Sequence, residues 1–197
     1  MDLSPQLAQN LSIVLNEATL RDVECDQALG TAHIVLDVLT LPEVGPVPQD
    51  RALELRLAPL GRVVASLRAG FWNRADAPVL AMTIDSLGEV VRSFGGRSVY
   101  GWEFFDLHPT QPEPWMNRLS FEWQGDAAAM QHSLTLFQEG DGDRHLDLRI
   151  WFRDLQLWSS GGLPLDPDDV IAGGKRFWDA LHANDPRTEG FGIVPLQ

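Results

Sequence analysis

The chain has 197 residues, of which 44% are hydrophobic and 22% are charged, and its 28 acidic and 15 basic side chains give a formal net charge of −13. This composition predicts one globular domain spanning residues 1–197 and excludes an intrinsically disordered chain. The negative charge and the lack of an arginine cluster argue against nucleic-acid binding, because phosphate groups require local positive charge. Lys175 is the only lysine.

Cysteine usage and the first residues bear on where the protein works. Cys25 is the only cysteine, so no disulfide can form within the chain, which is typical of a reducing cytoplasm. Residues 1–5 lack a basic leader followed by an apolar stretch, and no segment is apolar over the length of a membrane span. We therefore expect a cytoplasmic protein with no membrane partner. The preference for arginine over lysine favours a GC-rich bacterial genome.

The N-terminal part predicts a helix followed by a β-hairpin. Ser4 and Pro5 suit an N-cap and a first helical residue, and apolar side chains follow at helical spacing at Leu7, Leu11 and Val14, with Leu3 just before. Residues 13–15 could equally begin a strand. Alternation over 31–39 predicts a strand that pairs with residues 18–25 through a turn at 27–30.

Prolines and alternating residues mark the next segments. Three prolines within residues 41–48 predict a loop, because proline lacks an N–H donor and fixes φ. Strict alternation predicts a strand over 53–57, and a further strand over 63–67 is expected after a turn at Gly61. Residues 80–84 form another short strand candidate.

The clearest helix signal lies over residues 86–94. Ser86 and Glu89 fit a capping box, and Gly95 with Gly96 supplies the stop. An apolar stripe lies between these ends, at Leu87, Val90, Val91 and Phe94. The segment 99–107 is rich in aromatic and β-branched residues and predicts a strand.

After a second proline-rich loop over 108–115, residues 117–158 alternate in the manner of an antiparallel meander. Apolar residues of one face alternate with mostly polar residues of the other, and residues 139–143 have the composition of a hairpin turn. Residues 156–158 are expected to continue the sheet.

The last predicted element is a helix that begins at Asp166 and Pro167 and ends near Asn184. It contains Gly173 and Gly174, a pair that we expect to allow close packing on the sheet, with a ligand or partner contact as the alternative. The elements together predict an α+β fold. It is a single domain with a mainly antiparallel, meander-rich sheet of about seven to nine strands, open or folded on itself, covered by two or three helices.

Motifs for the common chemistries are missing from the sequence. There is no dinucleotide-binding glycine motif, Walker loop or nucleophile elbow. The five histidines lack the spacing of a helical zinc site, and Asp141 and Asp143 begin a sequence that fails the calcium-loop pattern at later positions. We therefore expect no cofactor, no metal site and no recognised catalytic residue, which leans against an enzyme.

The strongest polar group falls on the outward face of the predicted meander. If the predicted strands pair in sequence order, the cross-strand neighbours on this face include a pair of carboxylates, a cation and an aromatic ring. Such a group is suited to acid–base chemistry or to binding a polar ligand. Its members are Glu122, Ser133 or Thr135, Asp147 or Arg149, His145 and Trp151. The alternative is an ordinary solvated sheet face, which antiparallel sheets commonly have.

Seven tryptophans accompany a single tyrosine. Trp123 and Trp178 lie on predicted core faces, whereas Trp72, Trp115 and Trp151 do not, so they are candidates for an interface or a ligand site. Packing under loops is the alternative explanation. Cys25 has acidic neighbours on both sides, which predicts an inert thiol rather than a nucleophile.

These observations predict a non-catalytic cytoplasmic binding module for a macromolecular partner, with a basic partner favoured by the acidic charge, for example a cationic enzyme that the module inhibits. The alternative is a small-molecule-binding protein or hydrolase that uses the polar face of residues 117–158. Both hypotheses leave the oligomeric state open. The candidate ligand or partner residues are Glu122, His145, Asp147, Arg149, Trp151 and Trp115.

Overall fold

The computed structural model of the chain describes residues 3–70, 76–106, 118–140, 144–191 and 193. Three α-helices lie in these ranges: α1 Pro5–Leu15, α2 Leu87–Ser93 and α3 Pro167–His182. The strands are β1 Thr19–Asp26, β2 Thr31–Asp37, β3 Ala52–Ala69, β4 Val99–Asp106, β5 Phe121–Gln124, β6 His132–Glu139 and β7 Arg144–Ser159.

The strands form one antiparallel sheet that curls round on itself. Six of them lie in the order β1-β2-β3-β7-β6-β4, and β5 pairs with the second half of β3. The two ends of this order meet at a bridge between Thr19 and Ser98, where the N–H of Val99 donates to the carbonyl of Ala18 at 2.9 Å. The predicted α+β class is therefore confirmed, with a strand count at the low end of the prediction.

The hairpin of β1 and β2 is confirmed, whereas the predicted turn at Gly61 is wrong. Residues 52–69 form one continuous strand, β3, whose register against β7 shifts between Leu60 and Arg62. An extra residue in one strand produces a β-bulge, which bends the strand without ending it. A glycine between two alternating runs is consistent with both outcomes, and here the bulge is formed.

The meander was predicted correctly only in part. Strands β6 and β7 form the expected hairpin, and β7 continues through residues 156–158 to Ser159. However, β5 pairs with β3 and not with β6, because β7 separates the two. The hairpin-turn residues 141–143 lie outside the described ranges.

Local capping explains the helix boundaries. The side chain of Ser4 accepts a hydrogen bond from the N–H of Leu7 and caps α1, and that of Asp166 does the same for α3 through Asp168. The predicted capping box of α2 is wrong in its residues. Thr83 and Ser86 form the box around a short 3-10 helix Ile84–Ser86 that leads into α2. This turn occupies the end of the segment 80–84, so the strand predicted there is not formed.

The glycine pair of α3 packs against another helix and a loop rather than the sheet. A Cβ atom on Gly174 would lie 2.7 Å from a methyl group of Val14 in α1, which is closer than real Cβ contacts. Gly173 faces Thr40 in the loop after β2 in the same way. The side chain of Trp178 adds to this contact, because its Nε1–H donates to the carbonyl of Ile13 at 3.0 Å. The pair therefore sets the distance between α1 and α3.

The core lies between the inner face of the curled sheet and the helices. Its largest cluster joins buried residues of α1 and α2 to inward-facing residues of every strand from β1 to β3 and of β6 and β7. A smaller cluster under α3 holds Leu39, Leu41, Phe177 and Leu181. No helix within the described ranges is both long and apolar enough to cross a membrane.

Candidate functional site

The predicted polar residues share one outer face of the sheet. Strands β6 and β7 place Ser133 opposite Trp151 and Thr135 opposite Arg149, and β3 adds a row on the far side of β7. Glu122 was predicted to lie next to β6, and this prediction is wrong. It lies on β5, on the other side of β3. Its carboxylate joins the face because Arg62 of β3 donates Nε–H to Glu122 Oε1 at 2.9 Å.

Trp151 is the centre of this face. The guanidinium carbon of Arg62 lies 4.9 Å from the centre of the indole ring and that of Arg149 lies 5.6 Å from it. Such distances are within the range of cation–π attraction. Arg149 is also fixed by donating Nε–H to Thr135 Oγ1 at 2.9 Å. Trp151 lies on the side of β7 that faces away from the main core, as predicted, but it is buried there, with only 3% of its surface exposed.

The polar face between β6 and β3 is largely covered. Ser66 and Ser133 are fully buried, His145 is 1% exposed, and the Ser66 hydroxyl donates to the carbonyl of Arg118 at 2.6 Å. The alternative of a freely solvated sheet face therefore fails for these residues. Glu122 remains exposed at the edge of the face.

One end of this face holds an ion pair beside a buried histidine. Arg68 pairs with Asp147, and burial raises the pKa of the Asp147 carboxyl although the Arg68 charge opposes the shift. His145 lies directly opposite Arg68 and places Nδ1 3.0 Å from the carbonyl of Gly70. A carbonyl only accepts, so Nδ1 carries the proton. Burial, and then the Arg68 charge, lower the pKa of His145 and favour its neutral form.

The remaining residues singled out from the sequence are the other tryptophans and Cys25. Trp115 and Trp72 lie outside the described ranges. Trp123 is partly buried against the core, as its predicted face requires. Cys25 is partly buried, and burial followed by the charge of Glu24 raises the pKa of its thiol to about 12. The thiol is therefore protonated at neutral pH, which supports the prediction that it is inert.

Sequence reasoning missed an organised polar cluster on the outer face of the other half of the sheet. Glu54 accepts Nε–H and Nη2–H from Arg56 at 2.8 and 2.9 Å, and Nδ1 of His33 lies 2.6 Å from the same carboxylate. The guanidinium of Arg56 stacks 3.9 Å above the ring of Trp158. We call Glu54, Arg56 and Trp158 the platform. The alternation of residues 53–57 was a usable signal, because it placed Glu54 and Arg56 on one face.

The row that contains the platform leads to an acidic groove at the edge of β1. Glu24 is paired in register with His33, and His33 with Arg56, across β1, β2 and β3. Beyond Glu24, α2 lies against β1, and a Cβ on Gly88 would be 2.9 Å from the carbonyl of Val23. The groove between them has a volume of about 500 Å³ and is lined by Asp22, Val23, Glu24, Cys25, Ile84, Asp85, Gly88, Glu89 and Arg92.

Four carboxylates and one guanidinium therefore line the acidic groove. Arg92 donates to Asp22 at 2.7 Å, and Gln27 donates to Asp85 at 3.0 Å. Glu24 and Glu89 are exposed, and no ion pair is formed by either within the described part of the chain. The carboxylates thus outnumber the local cations in a concave surface.

The described residues contain no group of three or more histidine, cysteine, aspartate or glutamate side chains placed to hold a metal ion. Comparison with protein-family models finds no match, and neither the curated proteins nor the solved structures include one that matches the chain.

Proposed function

We propose that the protein is a binding module for a basic macromolecular partner, and that the acidic groove between β1 and α2 receives basic side chains of that partner. The single observation that carries the proposal is the concave surface of about 500 Å³ in which four carboxylates face one arginine. Opposite charge at such a surface steers association and selects the partner. The formal net charge of −13 acts in the same direction at long range.

The platform supports a protein partner rather than an isolated cation. Arginine and tryptophan are the side chains most enriched at the energetic centres of protein interfaces. Here Glu54 holds Arg56 against Trp158 in the unbound protein, so little side-chain freedom is lost when a partner packs on the pair. The platform and the acidic groove are joined by the row through His33, which gives a contiguous surface.

The proposal is tested by titrating the protein with the peptide Arg-Gly-Arg-Gly-Arg, labelled with fluorescein, and following polarisation. The groove variant combines Glu24→Gln, Asp85→Asn and Glu89→Gln, three exposed side chains. We expect binding by the parent chain and a loss of affinity of at least ~3-fold in the groove variant, since each lost charge contact contributes roughly 0.2–1 kcal/mol.

A matched control removes three carboxylates elsewhere: Glu43→Gln, Asp179→Asn and Glu189→Gln, all of which are exposed and distant in sequence from the groove. Both triple variants change the net charge equally. Equal loss of affinity in the two would show that binding follows net charge alone and would overturn the assignment of the groove. Absence of binding by the parent chain at low salt would overturn the proposal itself.

A small-molecule-binding or hydrolytic role of the covered polar face is the second candidate. It is favoured by one observation: Nε2 of His145 and Nε of Arg68 are buried without a hydrogen-bond partner among the described residues. A neutral imidazole whose Nδ1–H is held by a carbonyl presents Nε2 as an acceptor or general base. Substitution of Asp147 and Arg149 by Ala with unchanged stability and unchanged ligand binding would eliminate this candidate.

A further inference from the structure

Asp22 is the carboxylate of the acidic groove that already holds a guanidinium. Nη1–H of Arg92 donates to Asp22 Oδ1 at 2.7 Å and to Oδ2 at 2.8 Å. Asp22 belongs to β1 and Arg92 to α2, so the contact joins the two walls of the groove. The groove therefore receives, from its own chain, the kind of side chain that the proposed partner would supply.

The absence of a side chain at Gly88 makes room for this contact. Gly88 and Arg92 are four residues apart, so they lie on the same face of α2. A Cβ atom on Gly88 would lie 3.0 Å from Asp22 Oδ1 and 3.1 Å from Arg92 Nη1. A larger residue at this position would therefore press on both members of the pair. The planar guanidinium is suited to the narrow space that glycine leaves.

The pair of Arg92 and Asp22 is open to water. The side chain of Arg92 is 58% exposed and that of Asp22 is 38% exposed. Ion pairs between exposed side chains contribute little to stability, because water screens the charges and the long side chains lose freedom. Another cation can therefore replace Arg92 at Asp22 at a small cost.

Both hydrogen bonds of the pair come from the same nitrogen of Arg92. The strongest contact between arginine and a carboxylate is a fork, in which two nitrogens donate side by side to the two oxygens. The approach of Arg92 is restricted by its place on α2, whereas an arginine of a partner can approach Asp22 in the orientation of the fork. Lysine cannot form it, because its ammonium group is a single point of charge.

Arg92 also has a second carboxylate to which it can move. Glu89 precedes it by three residues on α2, a spacing at which opposite charges attract on a helix. Glu89 is exposed, and no ion pair involves it within the described ranges. Release from Asp22 therefore does not leave the charge of Arg92 without a neighbour of opposite sign.

We infer that Asp22 anchors an arginine side chain of the partner, and that Arg92 occupies this anchor in the free protein and is displaced on binding. The ligand class is thereby narrowed from basic side chains to guanidinium groups. The other carboxylates of the groove, Glu24, Asp85 and Glu89, surround the anchor. The inference rests on the proposed function, because it concerns the same groove.

The test is a double-mutant cycle on Asp22 and Arg92 with the fluorescein-labelled peptide Arg-Gly-Arg-Gly-Arg at physiological salt. The variants are Arg92→Gln, Asp22→Asn and the two together. Asparagine keeps the oxygen that accepts the N–H of Val23 at 2.9 Å, so the local hydrogen bond of β1 is retained.

Removal of Arg92 should strengthen binding only while Asp22 is present. We expect Arg92→Gln to bind the arginine peptide about two- to fivefold more tightly than the parent chain, the range that release of an exposed ion pair allows. In the Asp22→Asn background the same change should alter the affinity by less than about 1.5-fold, because the anchor is gone and salt screens the remaining charges.

A matched variant and a matched peptide complete the design. Arg153 is 48% exposed and pairs with Asp154 at 3.1 Å, and β2 and β3 separate its strand from β1. Arg153→Gln removes the same charge and should leave the affinity for the arginine peptide unchanged. The peptide Lys-Gly-Lys-Gly-Lys carries the same charge and should gain less than about 1.5-fold from Arg92→Gln, because it has no guanidinium groups.

Three results would overturn the inference and leave the proposed function intact, provided that the groove variant still loses affinity. The first is equal affinity of Arg92→Gln and the parent chain. The second is the same gain from Arg92→Gln with and without Asp22, which would make Arg92 a repelling charge and not an occupant of the anchor. The third is an equal gain for the lysine peptide or in Arg153→Gln. Absence of binding of the arginine peptide by the parent chain and every variant would overturn the proposed function, and the inference with it.

Discussion

Arg68 and His145 lie directly opposite each other across the β3–β7 ladder, and each keeps a buried side-chain nitrogen without a hydrogen-bond partner among the described residues. Leaving a buried polar group unpaired costs about 1–3 kcal/mol. Native chains accept such a cost mainly where the group serves another purpose. The pair is therefore the point of the covered polar face where function is best sought.

The first prediction concerns the stability of the fold as a function of pH. Burial, and secondly the charge of Arg68, lower the pKa of His145 from its ordinary value of 6.5. Protons therefore bind the unfolded chain more readily than the folded one, and stability falls as pH drops below about 6.5. In His145→Gln this loss should be smaller. Urea unfolding at pH 7.5, 6.5 and 5.5 measures it.

Asp147 provides the control for this experiment. Its raised pKa has the opposite sign, because the folded state holds the proton more tightly, so its contribution to stability decreases as pH rises above the ordinary value of 3.8. Asp147→Asn should therefore not reduce the loss of stability between pH 6.5 and 5.5. If His145→Gln and the parent chain lose stability equally over that range, His145 is not a buried neutral group.

Most of the strands could be predicted from the sequence, because the spacing of apolar residues reflects which side of each strand is buried. The alternation of Leu146, Leu148 and Ile150 with polar residues is the direct consequence of one core-facing side of β7. The partner of a short strand has no such local signal. Strand β5 has only four residues, and its alternation is satisfied equally well beside β6 or beside β3. The alternation of residues therefore could not predict which strand β5 pairs with, because that depends on long-range contacts.

Alternation predicted which candidate residues of β7 share one face, but it did not predict their environment. Strand pairing brings His145, Asp147, Arg149 and Trp151 to one face, as alternation requires. Their burial could not be predicted, because it depends on chain segments that cross the outer face, such as the one in which Arg118 accepts from Ser66. The acidic groove was missed for a similar reason. Its carboxylates come from β1, from the 3-10 helix Ile84–Ser86 and from α2; β1 is distant in sequence from the other two, and only tertiary packing joins them.

The second prediction concerns the contact between α1 and α3. In an exposed helix, replacing glycine by alanine stabilises by about 1 kcal/mol. At Gly174 the new methyl group would lie 2.7 Å from Val14, and relieving such overpacking costs typically about 1–3 kcal/mol. The cost of overpacking less the gain in helix propensity leaves an expected decrease of about 0–2 kcal/mol in the free energy of unfolding of Gly174→Ala, measured in urea.

Lys175→Ala is the matched control, because Lys175 is the exposed neighbour of Gly174 on the same helix. It should change the free energy of unfolding by less than about 0.5 kcal/mol. A stabilised Gly174→Ala variant would show that α1 and α3 do not approach as closely as described.

The third prediction concerns the platform. Arg56→Lys keeps the charge but removes the two-point contact with Glu54 and the planar stack on Trp158. Because Arg56 is open to solvent, we expect only a small decrease in the free energy of unfolding. The same variant should reduce the affinity for a protein partner more than the affinity for Arg-Gly-Arg-Gly-Arg, because the peptide contacts the acidic groove and not the platform.

Arg153→Lys serves as the comparison for Arg56→Lys, because Arg153 is about half exposed and pairs with its neighbour Asp154 at 3.1 Å. Its effect on stability should lie within about 0.5 kcal/mol. The double variant Trp158→Phe with Arg56→Lys should lose no more free energy of unfolding than the two single variants lose together. A double variant as stable as the parent would show that the stack contributes nothing.

The fourth prediction concerns the thiol of Cys25, which lines the acidic groove. Burial, and secondly the charge of Glu24, raise the pKa of the thiol to about 12, and only the thiolate reacts with disulfide reagents. At pH 8 the folded protein should therefore react with a chromogenic aromatic disulfide at least ~100-fold more slowly than the unfolded chain in urea. The rate should rise about tenfold for each pH unit between pH 8 and 10, as the thiolate fraction grows. Glu24→Gln should increase the rate modestly, because it removes the second cause and leaves the burial. Rapid reaction of the folded chain at pH 8 would instead mark Cys25 as an accessible thiolate and would make the acidic groove a reactive site.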